Sequence, residues 1–63
     1  MRKPMTALFA LLTTADWTYE RLVGTSAEVR DRADRLSRQT HRDVLIFRMV
    51  GAIRVQYVYE ANR

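Results

Sequence analysis

Few residues in this 63-residue chain could do covalent or metal chemistry. His41 is the sole histidine, and there is no cysteine. One imidazole without thiolates does not make a zinc-type site, which draws on three or four nitrogen and sulfur ligands. His41-Arg42-Asp43 spells the triplet of a kinase catalytic loop. No glycine-rich loop accompanies it, and a chain this short does not hold a kinase. Gly24-Thr25-Ser26 stands at a helix start, where free amides can face an anion. It lacks the Gly-x4-Gly-Lys frame of a phosphate loop. A capping box, Thr25 with Glu28 three residues on, uses the same donors. Ser26 and Ser37 have no general base nearby in sequence. No enzyme activity, cofactor or metal is therefore expected.

The residues that could recognise a partner lie between Asp43 and Glu60. The chain has 11 basic residues, all but Lys3 arginine, against 7 acidic ones, for a net charge of +4. Outside the helix the basic residues are Arg2, Lys3, Arg21, Arg42, Arg48, Arg54 and Arg63. Arg48 and Arg54 stand close to Phe47, Met49, Tyr57 and Tyr59, and these six are the candidate partner-contact residues. Arginine makes bidentate contacts with carboxylates and phosphates, and aromatics anchor protein interfaces or stack on bases. Strand alternation alone also accounts for the pattern, with Tyr57 and Tyr59 in the core and the arginines solvated.

The element that must position them is a hairpin. DVLIFRMVGAIRVQYVYE is two β-favouring runs hinged at Gly51. A Gly51-Ala52 loop suits a type II′ turn. It pairs Val50 with Ile53, Arg48 with Val55, Ile46 with Tyr57 and Val44 with Tyr59. One face then carries Val44, Ile46, Val50, Ile53, Val55, Tyr57 and Tyr59, broken by Arg48. The other carries Leu45, Phe47, Met49 and Val58, with Arg54 and Gln56. A three-residue loop, Val50 to Ala52, would instead join Leu45, Phe47 and Met49 to the face of Tyr57 and Tyr59.

Before the hairpin, the capping box opens a helix over Ser26–Gln39. Its apolar stripe is Val29, Ala33 and Leu36, with Thr40 next. Glu28–Arg32, Asp31–Arg35 and Asp34–Arg38 are spaced for i,i+4 ion pairs, which leaves no bare basic stripe for a nucleic-acid groove. Thr6–Thr14 and Trp17–Val23 read as strands around a turn at Ala15–Asp16. Leu8, Ala10 and Leu12 then share a face with Trp17, Tyr19 and Val23, while Phe9, Leu11 and Leu22 take the other. A single helix through residue 22 is the alternative, since Met5, Leu8, Leu12, Ala15, Tyr19 and Leu22 fit one helical face. Residues 1–5 form a basic leader, frayed at the end. The whole, 1–63, is one α+β domain of order β-β-α-β-β: a four-stranded antiparallel sheet with one helix on one face.

A domain of this size buries only about 60% of its unfolded surface and usually needs a staple. Without cysteine, that staple is a second subunit. One thin helix covers one sheet face, and Leu45, Phe47, Met49 and Val58 need another cover, so a homodimer through the sheet is expected. The start, MRKPMTALFALLTTA, has the outline of a secretory signal, but its apolar run is short and follows Pro4. No stretch reaches membrane-spanning length. A cytoplasmic location is expected.

This strand–strand–helix–strand–strand layout, short, basic and cysteine-free, resembles small phage-encoded inhibitors of the anti-CRISPR and host-polymerase-inhibitor types. The resemblance is one of architecture and transfers no residue. It implies a protein-interaction module that occludes a host protein or nucleoprotein complex in the host cytoplasm. Direct nucleic-acid binding by arginine and aromatic residues on the sheet is the alternative. Leu22–Ser26, LVGTS, is also similar to the strand-to-helix passage of dodecins, from which the extra N-terminal hairpin and the shorter helix depart.

Overall fold

A computed structural model describes residues 5–61. Residues 1–4 of the basic leader, with Arg2 and Lys3, and Arg63 lie outside the described residues. The elements are β1 (Ala7–Thr13), β2 (Thr18–Gly24), α1 (Ser26–Thr40), β3 (Val44–Val50) and β4 (Ile53–Ala61). They form a four-stranded antiparallel sheet in the order β2-β1-β3-β4, with α1 on one face. The expected α+β architecture is therefore present.

Alternation along β1 sorts the two faces. Phe9, Leu11 and Thr13 point to the helix and are at most 4% exposed. Leu11 stands opposite Ile46 on β3, and both are 1% exposed. From the helix, Val29 and Ala33 close over them, and Val44 and Ala61 complete the buried cluster. Sequence spacing put Thr40 next in the helix stripe, but Ser37 takes that place and is fully buried. A hydroxyl can be buried there because Ser37 Oγ donates to the Arg42 carbonyl at 2.7 Å and lies 3.4 Å from that of Ala61. It ties the end of α1 to the start of β3 and the end of β4.

The capping box forms as read. The Thr25 amide donates to Glu28 Oε1 at 3.0 Å, and the Glu28 amide donates to Thr25 Oγ1 at 3.2 Å. That commits Glu28, so Arg32 turns from it to Glu20 on β2, with both contacts at 3.0 Å. Asp31–Arg35 does pair along the helix.

The β1–β2 turn differs from its reading. Trp17 is not on the strand but in the turn, left-handed at φ 58, and 66% exposed. Ala15 is also left-handed at φ 75, and the Asp16 amide donates back to the Thr14 carbonyl. Asp16 Oδ1 accepts from the Thr18 amide at 3.0 Å, closing the turn one residue later than β-propensity suggests.

These contacts make stability acid-sensitive. Arg32 holds the Glu20 carboxyl below its ordinary 4.5, the Thr25 amide does the same for Glu28, and the Thr18 amide holds Asp16 below 3.8. A carboxyl with a depressed folded-state pKa stabilises above its unfolded value, and that contribution is lost as pH falls through the folded value. Thermal melts should be flat from neutral pH to about 5 and then decline as pH falls below about 4. Glu20→Gln should lower the plateau slightly and shallow the acid slope, and an unchanged slope would show that the Glu20–Arg32 pair does not form in solution.

Candidate protein-interaction face

The two-residue Gly51-Ala52 loop is present, with Val50 opposite Ile53 and Gly51 at φ 60, as a type II′ turn requires at its first central position. The pairing beyond it is not the one read from sequence. Arg48 pairs with Gln56 instead of Val55, Ile46 with Tyr59 instead of Tyr57, and Val44 with Ala61 instead of Tyr59. Two register shifts explain this: β4 carries an extra residue at Val55 and another at Val58. Each such bulge reverses the alternation of the residues beyond it.

The six candidate residues are divided between the two faces as the two-residue loop implies, except that the bulges move Tyr57. Tyr57 moves to the face away from the helix and meets Phe47 edge-on, ring centroids 5.7 Å apart. Arg54 lies on the same face, its guanidinium 5.1 Å from the Phe47 ring centre. Met49 belongs there too, opposite Leu8 and Arg54, but at 8% exposure it supports the face more than it presents it. Tyr59 instead packs against the core on the helix side, with Arg30 5.0 Å above its ring. Arg48 also goes to the helix side, opposite Phe9. Val58, expected on the bare face, packs against the helix-side core.

The bare face is a grid of three rows across β2, β1, β3 and β4. The first is Val23, Leu8, Met49 and Arg54; the second Arg21, Ala10, Phe47 and Tyr57; the third Tyr19, Leu12, Leu45 and Glu60. Nine of these twelve are apolar or aromatic, and no helix packs on this side, although Ala10 at 1% exposure and Met49 are closed over by their surroundings. Val23 is 71% exposed, Tyr19 53% and Tyr57 50%. Sequence reasoning put Leu8, Leu12, Tyr19 and Val23 on one face but did not name them as contact residues. Their alternation against Phe9, Leu11 and Leu22 was the available clue. Arg21 Nη2 donates to the Gly51 carbonyl at 2.6 Å, drawing its charge toward the β3–β4 turn. Partial burial, and then the Glu60 carboxylate, push the Tyr57 phenol above 10.0, so it is a neutral donor near pH 7.

On the other side, Arg48 borders a shallow groove of about 250 Å³ beside Ser26, Gln56 and Val58, at the N-terminal end of α1. Only Arg48 is ionisable among its lining residues, and the Thr25 and Glu28 amides are already engaged in the capping box. That is no arrangement for acid–base or nucleophilic work. Among the described residues no cluster of His, Asp and Glu could hold a metal ion, and no helix is long and apolar enough to cross a membrane.

Comparison with protein-family models, with curated proteins and with solved structures finds no match.

Proposed function

We propose that the protein is a small protein-interaction module whose working surface is the bare face of its sheet. The observation that carries this reading is the one-sided cover: α1 packs on Phe9, Leu11, Val44 and Ile46, while Leu8, Leu12, Leu45 and Phe47 have no layer above them. Contiguous apolar surface of this kind marks a contact site. Phe47 near its middle, and Tyr57 and Arg54 beside it on the edge strand β4, are of the types that dominate interface energetics. The first partner of such a face is a second copy, giving a homodimer. The activity that fits a small module with such a face is occlusion of a host protein or nucleoprotein complex, the mode of phage-encoded inhibitors of similar layout.

Single-stranded nucleic acid is the second reading, favoured by Phe47, Tyr57, Arg21 and Arg54 sharing one face. Charge weighs against it. The described residues hold 8 arginines against 7 carboxylates, so the body is nearly neutral. Arg2, Lys3 and Arg63, which supply most of the net charge, lie at the chain ends.

Two measurements test the readings. Multi-angle light scattering over a concentration series should show the mass rising from one chain to two. A single chain at every concentration, with Leu8 and Leu45 methyls fully open to a paramagnetic solvent probe, would remove the homodimer. Anisotropy of a labelled single-stranded oligonucleotide should show no binding. Affinity at low salt that falls steeply as salt rises would establish the second reading instead.

A further inference from the structure

The helix crosses its side of the sheet from corner to corner. It leaves the sheet at Gly24, the end of edge strand β2, and Ser37 in its last turns reaches Ala61, the end of the other edge strand β4. Gly24 pairs with Ala7 at the end of the sheet nearest the Gly51 turn, and Ala61 pairs with Val44 at the opposite end. The corner that β3 and β4 form beside the turn is therefore left open. Val50 and Ile53 stand opposite each other there, 62% and 70% exposed. Alternation along β3 puts Val50 on the same side as Arg48, Ile46 and Val44. Between this corner and the start of α1 is the groove that Arg48 borders, with Phe9 on one side of Arg48 and Gln56 on the other.

Three donor side chains, Arg48, Gln56 and Ser26, line that groove together with the apolar Ala7, Phe9 and Val58. Among the described residues Arg48 has neither a hydrogen bond nor an ion pair. The acids of the two ion pairs, Glu20 and Asp31, hold Arg32 and Arg35, and no carboxylate lines the groove. An arginine on an interior strand, beside an apolar floor and without an anion of its own chain, is complementary to a carboxylate from outside. We propose that this corner binds an extended acidic segment of a partner protein. Its Asp or Glu side chain enters the groove to meet Arg48 and Gln56, and an aliphatic side chain two residues away covers Val50 and Ile53. The site is on the opposite side of the sheet from the bare face and goes beyond that reading without depending on it.

Size and spacing agree with this. The groove, about 250 Å³, is smaller than the ~300–1,000 Å³ of pockets that enclose small ligands. Being shallow, it does not surround a free metabolite, whereas a side chain is held there by the segment that carries it. Arg48 and Val50 are two residues apart on one strand, about 7 Å at ~3.3 Å per residue. Alternate side chains of an extended partner have the same repeat, so a carboxylate over Arg48 brings an aliphatic side chain over Val50. The other anionic partners fit less well. Phe9, the one ring lining the groove, is buried and offers no face for a base to stack on. A lipid surface would cover Val50 and Ile53 but leave the recess and its amide and hydroxyl unused.

The test is an NMR titration of isotope-labelled protein with the peptide Leu-Ser-Glu-Ser-Leu, blocked at both ends. Its symmetry offers an aliphatic side chain two residues from the acid in either chain direction. The Arg48 Nε–H, the Gln56 side-chain amide and the Val50 and Ile53 methyls should shift. Leu-Ser-Gln-Ser-Leu should bind about tenfold more weakly, as expected for losing one charged hydrogen-bonded pair. Arg48→Gln should weaken the Glu peptide by a similar factor and abolish the difference between the two peptides. Arg48→Lys should restore part of it, a point charge replacing a bidentate fork. Ile53→Ser should weaken both peptides alike. Circular dichroism checks the fold of each variant, and the comparison of the two peptides on the unchanged protein needs no variant. Phe47→Asp should leave the peptide affinity unchanged, so failure of the bare-face reading and failure of this one are seen separately. If the Glu peptide causes no shift at Arg48 up to its solubility limit, or if both peptides bind alike, the proposal is overturned. Tighter binding through Arg48 of single-stranded oligothymidylate, or of phosphatidylglycerol vesicles, would also overturn it and make the corner a nucleic-acid or lipid surface.

Discussion

Leu11→Ala is expected to bring the protein to the edge of unfolding at room temperature. Leu11 is at the middle of β1, 1% exposed, opposite Ile46 and beneath Val29 and Ala33. Truncating a fully buried leucine costs about 2–5 kcal/mol, the upper end applying where neighbours do not collapse into the gap. Little collapse is available here. Two of the seven residues in the buried cluster, Ala33 and Ala61, are alanines that cannot reach across, and Val29 and Val44 are β-branched and stiff. A chain of 63 residues has a total stability of about 3–9 kcal/mol at ~0.05–0.15 kcal/mol per residue. The loss is thus comparable to the whole. In urea, monitored by helical circular dichroism, the midpoint should fall close to zero denaturant. Leu12→Ala, one residue along on the bare face and half-buried, should cost much less. Equal losses for the two would mean that α1 does not cover the Leu11 face.

That contrast between neighbours was legible in the sequence, because alternation in a strand is simple when nothing interrupts it. Phe9 and Leu11 against Leu8, Ala10 and Leu12 could be read directly, and so could the capping box, whose two residues are only three apart in sequence. The β4 register was not legible. Ile53 to Tyr59 is β-favouring throughout apart from Arg54 and Gln56, and the bulges at Val55 and Val58 involve no glycine that would mark them. Their effect, moving Tyr57 to the bare face while the second bulge returns Tyr59 to the helix side, comes from fitting β4 to β3. Trp17 was misplaced for a related reason: its type favours a strand, but the Asp16 carboxylate holds the Thr18 amide and keeps Trp17 in the turn. Ser37 was passed over because a hydroxyl reads as surface until an acceptor is known, and its acceptors, on Arg42 and Ala61, are brought by tertiary structure. The same holds for Arg32, whose sequence neighbour Glu28 loses to Glu20 across the domain. Of the candidate contact residues, the two-residue loop placed Phe47, Met49 and Arg54 on one face and Arg48 and Tyr59 on the other, and only Tyr57 was put on the wrong one.

Phe47→Asp should separate folding from association. Within one chain Phe47 contacts the edge of Tyr57 and lies beneath Arg54. Such contacts contribute about 0.5–1.5 kcal/mol for the aromatic pair and about 0.5–1 kcal/mol for the exposed cation–π contact. Losing them weakens the monomer without emptying the helix-side core, and Arg54 can move to the new carboxylate. At the interface the change is far larger. Phe47 is in the middle row of the bare face, where a covering surface excludes water most completely, and central aromatics there carry about 2 kcal/mol or more each. In a two-fold dimer both copies contribute an aspartate at the centre, so two desolvated carboxylates replace two rings. The expected result is a folded chain with helical circular dichroism and the mass of one copy at concentrations where the unchanged protein has the mass of two. Its melting temperature should not depend on protein concentration, whereas that of the unchanged protein should rise with it, since association stabilises the folded state by mass action. A Phe47→Asp chain that still doubles its mass would place the contact elsewhere, and the unbulged β2 edge, with Tyr19 and Val23 exposed along it, would be the surface to test next.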